Sequence, residues 1–189
     1  QNIGLGHRRL AILDLSEKGI QPFSSDDNRY HVTFNGEIYN FKEIKAQLLE
    51  KGLQFRSETD TEVLMYLYIL EGEKMLEKLN GMFAFAIWDN FEKTLFIARD
   101  RLGIKPFYYS IHDNTFYFAS EQKALLKAGV PKGLNEDLFE ELLLFRFISG
   151  ENTLFKGIKK LLPGHCGVIK NGKFEIKRWW KLADKISEK

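Results

Sequence analysis

Gly81-Met82-Phe83-Ala84-Phe85-Ala86-Ile87-Trp88 is the stretch on which the fold turns. It is a nearly continuous apolar run, opened by the turn signal Asn80-Gly81. Such a run reads as a strand buried on both faces, and so as the middle of a sheet. Downstream, 94–99 reads as a second strand. Segments 107–110 and 115–120 flank His112-Asp113-Asn114 as a hairpin would. Segments 167–169 and 173–176 bracket Asn171-Gly172, the strongest short hairpin signal in the chain. Upstream, 30–34 is a short strand running straight into Asn35-Gly36, and 5–15 reads as another strand.

Helices alternate with these strands. Phe41, Ile44, Leu48 and Leu49 recur at helical spacing, and Gly52 stops the run. A second helix spans 61–70, with Ser57, Thr59 and Asp60 offering caps. A short one covers 74–79, and others cover 121–127 and 136–147. The last carries Leu138, Leu142 and Phe145 on one stripe, with Phe139 and Leu143 beside it. The helices from Lys42 and Thr61, each with one apolar stripe, are expected to cover one outer sheet face. Strands joined by short turns imply antiparallel pairing, so the fold class is α+β with two packed sheets.

Composition bounds the function. Sixteen Phe in 189 residues favour a strand-rich core. Lys and Arg exceed Asp and Glu by only 28 to 26, with no block of like charge. That offers no electrostatic reason for nucleic acid or an anionic membrane as partner. No apolar run is long enough to cross a bilayer. The single cysteine, Cys166, cannot close an internal disulfide, which leans toward a reducing, cytoplasmic setting. One Cys and four scattered His show no zinc-type spacing, so no metal site is expected. There is no signal-peptide core and no start methionine, so the sequence is expected to begin inside a longer chain.

Several segments carry a resemblance. They are Gly6-His7-Arg8-Arg9-Leu10-Ala11-Ile12-Leu13-Asp14, Gln21-Pro22, Asn35-Gly36-Glu37-Ile38-Tyr39-Asn40, Ser57-Glu58-Thr59-Asp60-Thr61-Glu62-Val63, Gly81-Met82-Phe83-Ala84-Phe85-Ala86, Arg99-Asp100-Arg101-Leu102-Gly103-Ile104-Lys105-Pro106, Ala119-Ser120-Glu121-Gln122-Lys123-Ala124-Leu125 and Leu162-Pro163-Gly164-His165. Together, and in this order, they resemble the glutaminase domain of asparagine synthetase, a class II glutamine amidotransferase of the N-terminal-nucleophile hydrolase type. Leu-Ala-Ile-Leu-Asp after Arg9, and Glu37-Ile38-Tyr39-Asn40, look like the asparagine synthetase type rather than its sister amidotransferases.

The resemblance implies a four-layer αββα sandwich of two antiparallel sheets flanked by helices, with the first strand missing. It implies an amidotransferase domain over 1–182 and a linker over 183–189, leading to a synthetase domain outside this sequence. L-Glutamine is then the substrate, and no cofactor is expected in this domain. ATP and Mg²⁺ belong to the synthetase domain. Asn35, through its side chain, and Gly36, through its N–H, would form the oxyanion hole. Arg9 would hold the glutamine α-carboxylate, supported by main-chain atoms of Ile12 and Leu13. Glu37 and Asp60 would hold the α-ammonium.

A bottom-up reading of the same residues leaves alternatives. Asp60 could be a plain helix N-cap, and Arg99-Asp100 a strand-end ion pair that supports the site. Nothing adjacent in sequence makes His7 or His165 an acid–base group, and both read as structural. The family's nucleophile is a cysteine at the mature N-terminus whose own α-amine is the base. This sequence starts at Gln1, so by itself it is expected to be inactive. Cys166 has no such amine and reads as a small buried apolar residue. An absent first strand would leave an unpaired edge inviting a homodimer. The rival functions are an amidotransferase with another acceptor carboxylate and a non-catalytic binding module.

Overall fold

The structure is a computed structural model that describes residues 3–8 and 19–186. Its large sheet has six antiparallel strands in the order β1-β2-β3-β4-β8-β9: β1 Phe23–Ser24, β2 Tyr30–Ile38, β3 Gly81–Asp89, β4 Thr94–Arg99, β8 His165–Lys170 and β9 Lys173–Arg178. The small sheet has the order β6-β5-β7: β5 Tyr108–His112, β6 Thr115–Ala119 and β7 Lys159–Lys160. The helices are α1 Phe41–Glu50, α2 Asp60–Glu71, α3 Gln122–Lys127, α4 Phe139–Phe145 and α5 Leu182–Ile186. Two 3₁₀ turns, Gly72–Glu77 and Glu136–Leu138, complete the set.

The run that opened the sequence reading is β3, held between β2 and β4. Successive side chains on a strand face opposite ways, and β3 uses the two faces differently. Phe83, Phe85 and Ile87 enter a core with Ile44 and Leu48 of α1 and Val63 to Leu67 of α2. Ala84, Ala86 and Trp88 face the small sheet, against Phe107, Tyr109 and Leu161. Two alanines there leave room for the rings of the facing sheet. A third cluster, Leu125, Val130 and Ile158, seats α3 on the far side of the small sheet. The layers are therefore helix, sheet, sheet, helix, as the resemblance implied.

Both hairpin signals hold. Asn171 and Gly172 have φ of 52° and 75°, and Asp113 and Asn114 have 46° and 56°, the doubly positive pattern of tight hairpins. Other expectations need correcting. Leu49 is exposed, so the buried stripe of α1 is Ile44 and Leu48. α2 buries every residue from Asp60 to Met65 rather than one stripe. The stripe on 136–147 is not part of a core: Leu138 and Leu142 are half-buried and Phe145 is exposed, as is Leu143 beside them. Residues 5–8 form no strand, and 9–18 lie outside the described residues. The tail expected as a linker begins with the short helix α5.

Candidate functional site

A cleft of about 570 Å³ opens beside the middle of β2. Asn35, Gly36 and Glu37 line one side, and Thr59, Asp60 and Thr61 at the start of α2 line another. Ser120, Glu121, Lys123 and Ala124, where β6 passes into α3, form the opposite rim. The four described residues expected at the site, Asn35, Gly36, Glu37 and Asp60, thus converge. Arg9, Ile12 and Leu13 lie outside the described residues, but Gly6, His7 and Arg8 just before them line the cleft.

Asn35-Gly36 is not a turn. Both residues are paired within β2, opposite Ala84 and Phe83. Gly36 has φ of 154°, and a Cβ there would lie 2.1 Å from the Met82 carbonyl oxygen. Nothing short of moving β3 relieves that contact. Gly36→Ala is therefore expected to destabilise the chain by about 3 kcal/mol, the upper range for small-to-large changes in a packed site. Thermal unfolding checks this, and a melting temperature within 2 °C of the parent (~ the effect of 1 kcal/mol or less) would refute the close approach.

Asp60 is not the cap of α2. Thr59 is: its hydroxyl accepts the Glu62 N–H at 3.4 Å. Glu62 turns back to accept the N–H groups of Arg56 and Ser57 at 3.1 and 2.7 Å, fixing the entry to the helix. This leaves the Asp60 carboxylate to face β2, where it accepts the Ile38 N–H at 3.0 Å. Asp60 is buried, and desolvation pushes its pKa up to about 6. The Ile38 N–H opposes that rise, and the negative charge of Glu37 adds to it. Glu37 and Asp60, side by side in the cleft and the latter short of compensation, suit a ligand that brings a positive charge.

Gln21 ties β2 to α2. Its Oε1 accepts the Phe34 N–H at 2.6 Å, and its Nε2 donates to Thr61 Oγ1 at 3.3 Å. Arg99 and Asp100 do not form the expected ion pair but bind main chain separately. Arg99 donates to the carbonyls of Gly103, Lys105 and Leu161 at 2.6–2.7 Å. Asp100, 1% exposed, accepts the N–H groups of Phe83, Leu102, Ile104 and Lys105 at 3.0–3.2 Å. That knot ties the loop carrying Lys105, a cleft residue, to the strand residue opposite Gly36.

Cys166 is far from this chemistry in kind. It is fully buried in the core between the large sheet and α1–α2, and burial pushes its thiol up to about 11. His165 Nδ1 bonds the Pro163 carbonyl at 2.8 Å, a local structural contact. Sequence reasoning missed Ser120, Lys105 and Lys123 as cleft residues. The resemblance covered their segments without assigning them work, and their neighbours in the cleft are remote in sequence.

Two sheets face to face, helices outside, and an Asn-Gly pair beside two carboxylates at the strand centre define a class. The chain belongs to the glutamine amidotransferase domain family, which residues 1–180 match. Its relatives within that family include glutamine-hydrolysing asparagine synthetases. It is 40% identical over 182 residues to asparagine synthetase (glutamine-hydrolysing) 1 of Bacillus subtilis (strain 168), covering 96% of this chain and 29% of that protein. It is 39% identical over 189 residues to amidase chyE of Penicillium rubens, covering 98% and 27%. The solved glutamine phosphoribosylpyrophosphate amidotransferase of B. subtilis, complexed with ADP and GMP, matches in fold. The TM-score is 0.68 at 23% identity, over 92% of this chain and 34% of the other. The chain spans less than a third of the length of these two sequence relatives. Among the described residues no helix is long and apolar enough to cross a membrane.

Proposed function

We propose that this domain binds L-glutamine and releases ammonia from it for a companion synthetase domain, which uses ATP and Mg²⁺ to amidate aspartate. The observation that carries the reading is the meeting of Asn35 and Gly36 with Glu37 and Asp60 in one cleft. Hydrolysis of a side-chain amide places negative charge on the carbonyl oxygen as the nucleophile adds. The Asn35 amide and the Gly36 N–H meet that charge. The acids hold the α-ammonium of the same molecule, and Arg9 is proposed for its α-carboxylate. Collapse of the intermediate expels ammonia and leaves an acyl group on the nucleophile, which water then frees as glutamate. That nucleophile is not Cys166, which is fully buried between the large sheet and α1–α2.

Asp60 gives the reading a test. Its folded pKa of about 6 lies above the ordinary carboxylate value of about 3.9. Its proton therefore stabilises the fold fully below pH 4, and that stability is lost as pH rises from about 4 to about 6. Above pH 6 the ionised group is a standing cost, and an ammonium ligand offsets it. Glutamine affinity is expected to fall roughly tenfold for each pH unit below 6, with proton release on binding near that pH. Asp60→Asn is expected to raise stability at pH 7.5 by on the order of 2 kcal/mol while abolishing measurable glutamine binding. Calorimetry and thermal unfolding read both. Undiminished binding by Asp60→Asn would remove Asp60 from the site.

A second reading has support in the fungal relative named an amidase, which is as similar as the bacterial synthetase. The residues of this domain meet glutamine and not the acceptor, so another carboxylate is compatible with every contact described. Formation of asparagine from aspartate, glutamine and ATP by the complete gene product decides between them.

A further inference from the structure

We infer that Ser120 positions the oxyanion-hole amide. The inference rests on the proposed role of Asn35. The Asn35 Nδ2 donates to Ser120 Oγ at 3.3 Å across 85 residues of sequence. Asn35 belongs to the large sheet and pairs with Ala84; Ser120 directly follows β6 of the small sheet. Both line the cleft, and both line the smaller cavity that continues between the two sheets.

The chemistry of a carboxamide makes this contact consequential. One end of the group donates two hydrogens and the other only accepts. An oxyanion hole works only if the nitrogen end meets the developing charge; rotated by half a turn, the same side chain would present its oxygen and repel it. Gly36 has no such freedom, because its N–H belongs to the backbone of β2. The one rotatable donor of the pair is therefore Asn35. Ser120 accepts one of its two N–H bonds and so fixes where the amide sits; because a hydroxyl can also donate, the choice of the nitrogen end is left to the developing negative charge, which the second N–H can meet. Preorganisation of this kind holds the amide in place before the charge forms. The anchor also lies on the opposite sheet, so the geometry of the hole depends on how the two sheets are packed.

The inference predicts a signature that a structural residue would not give. In the complete gene product, Ser120→Ala should lower kcat for glutamine hydrolysis by about tenfold, the worth of one ordinary hydrogen bond. The glutamine KM and the melting temperature should stay at parental values. Ser120→Thr, which keeps the hydroxyl, should recover most of the rate. Asn35→Ala combined with Ser120→Ala should be no slower than Asn35→Ala alone, because Ser120 acts only through Asn35. In the present chain, NMR of the Asn35 side-chain NH₂ should show one proton shifted by Ser120→Ala. That reading does not depend on turnover.

Parental kcat in Ser120→Ala would overturn the inference, as would a KM rise at constant kcat. Losses from the two alanine changes that multiply in the double variant would also overturn it. If Asn35→Ala keeps full kcat, or the unsubstituted gene product hydrolyses no glutamine, the fault lies with the proposed function itself, and the role of Ser120 falls with it.

Discussion

Asn35→Ala is expected to lower kcat for glutamine hydrolysis in the complete gene product by about 100- to 1,000-fold, as loss of one oxyanion-hole donor does elsewhere. The glutamine KM should change little. In the proposed site the ammonium end of the ligand falls to Glu37 and Asp60, cleft residues the substitution does not touch. The side chain is half-buried and lines a cleft rather than a packed core, so truncation leaves no closed cavity in the fold. Melting temperature should therefore stay near the parent. Equal losses of kcat and kcat/KM would show that the contact forms only in the transition state. A variant that instead binds glutamine more weakly and turns it over at the parental rate would make Asn35 a substrate-binding residue and empty the oxyanion hole of its side-chain donor.

The second large effect falls on stability. Asp100→Ala should cost the domain about 3 to 4 kcal/mol, because four main-chain N–H groups lose one buried acceptor together. In a domain of this size that corresponds to a fall in melting temperature of roughly 10 °C. Asp100→Asn should not rescue it. The amide keeps one acceptor oxygen but turns an NH₂ toward N–H groups that need an acceptor. Thermal unfolding of the two variants beside the parent measures this. An Asn variant as stable as the parent would mean that one oxygen suffices, and that the two donors of the other oxygen find different acceptors.

The architecture was legible where a residue's neighbours are local or its environment is uniform. β3 announced itself because nearly every one of its side chains is dry, and β4 was read to its true ends, Thr94–Arg99, by the same logic. Asn171-Gly172 marked its hairpin because few other pairs accept two positive φ angles. The stripe on α4 misled for a physical reason. Periodicity says that a segment can form an amphipathic helix, but not what covers it, and here no described residue buries it. Asp60 lines the cleft and its neighbour Thr59 does the capping, a distinction that depends on one residue of helix phase. Arg99-Asp100 read as an ion pair because opposite charges are adjacent in sequence. Main-chain groups of the 102–105 loop take up both instead: Arg99 donates to its carbonyls and Asp100 accepts its N–H groups. Ser120 had no signal at all, since its partner arrives from the other sheet.

The one cysteine of the sequence has a further meaning when the domain is viewed as a redox object. Oxidation and alkylation of a thiol need the thiolate and a path to it. Cys166 has neither: it is sealed between sheet and helices, and its burial keeps the proton on sulfur at any physiological pH. Cys166 therefore adds no competing thiol to the chemistry of the cleft, where the one described sulfur is the Met82 thioether. A peroxide or a thiol-directed glutamine analogue presented to the complete gene product acts on whatever other cysteines it holds, without interference from this one. A core residue chosen for its size thus doubles as chemical silence.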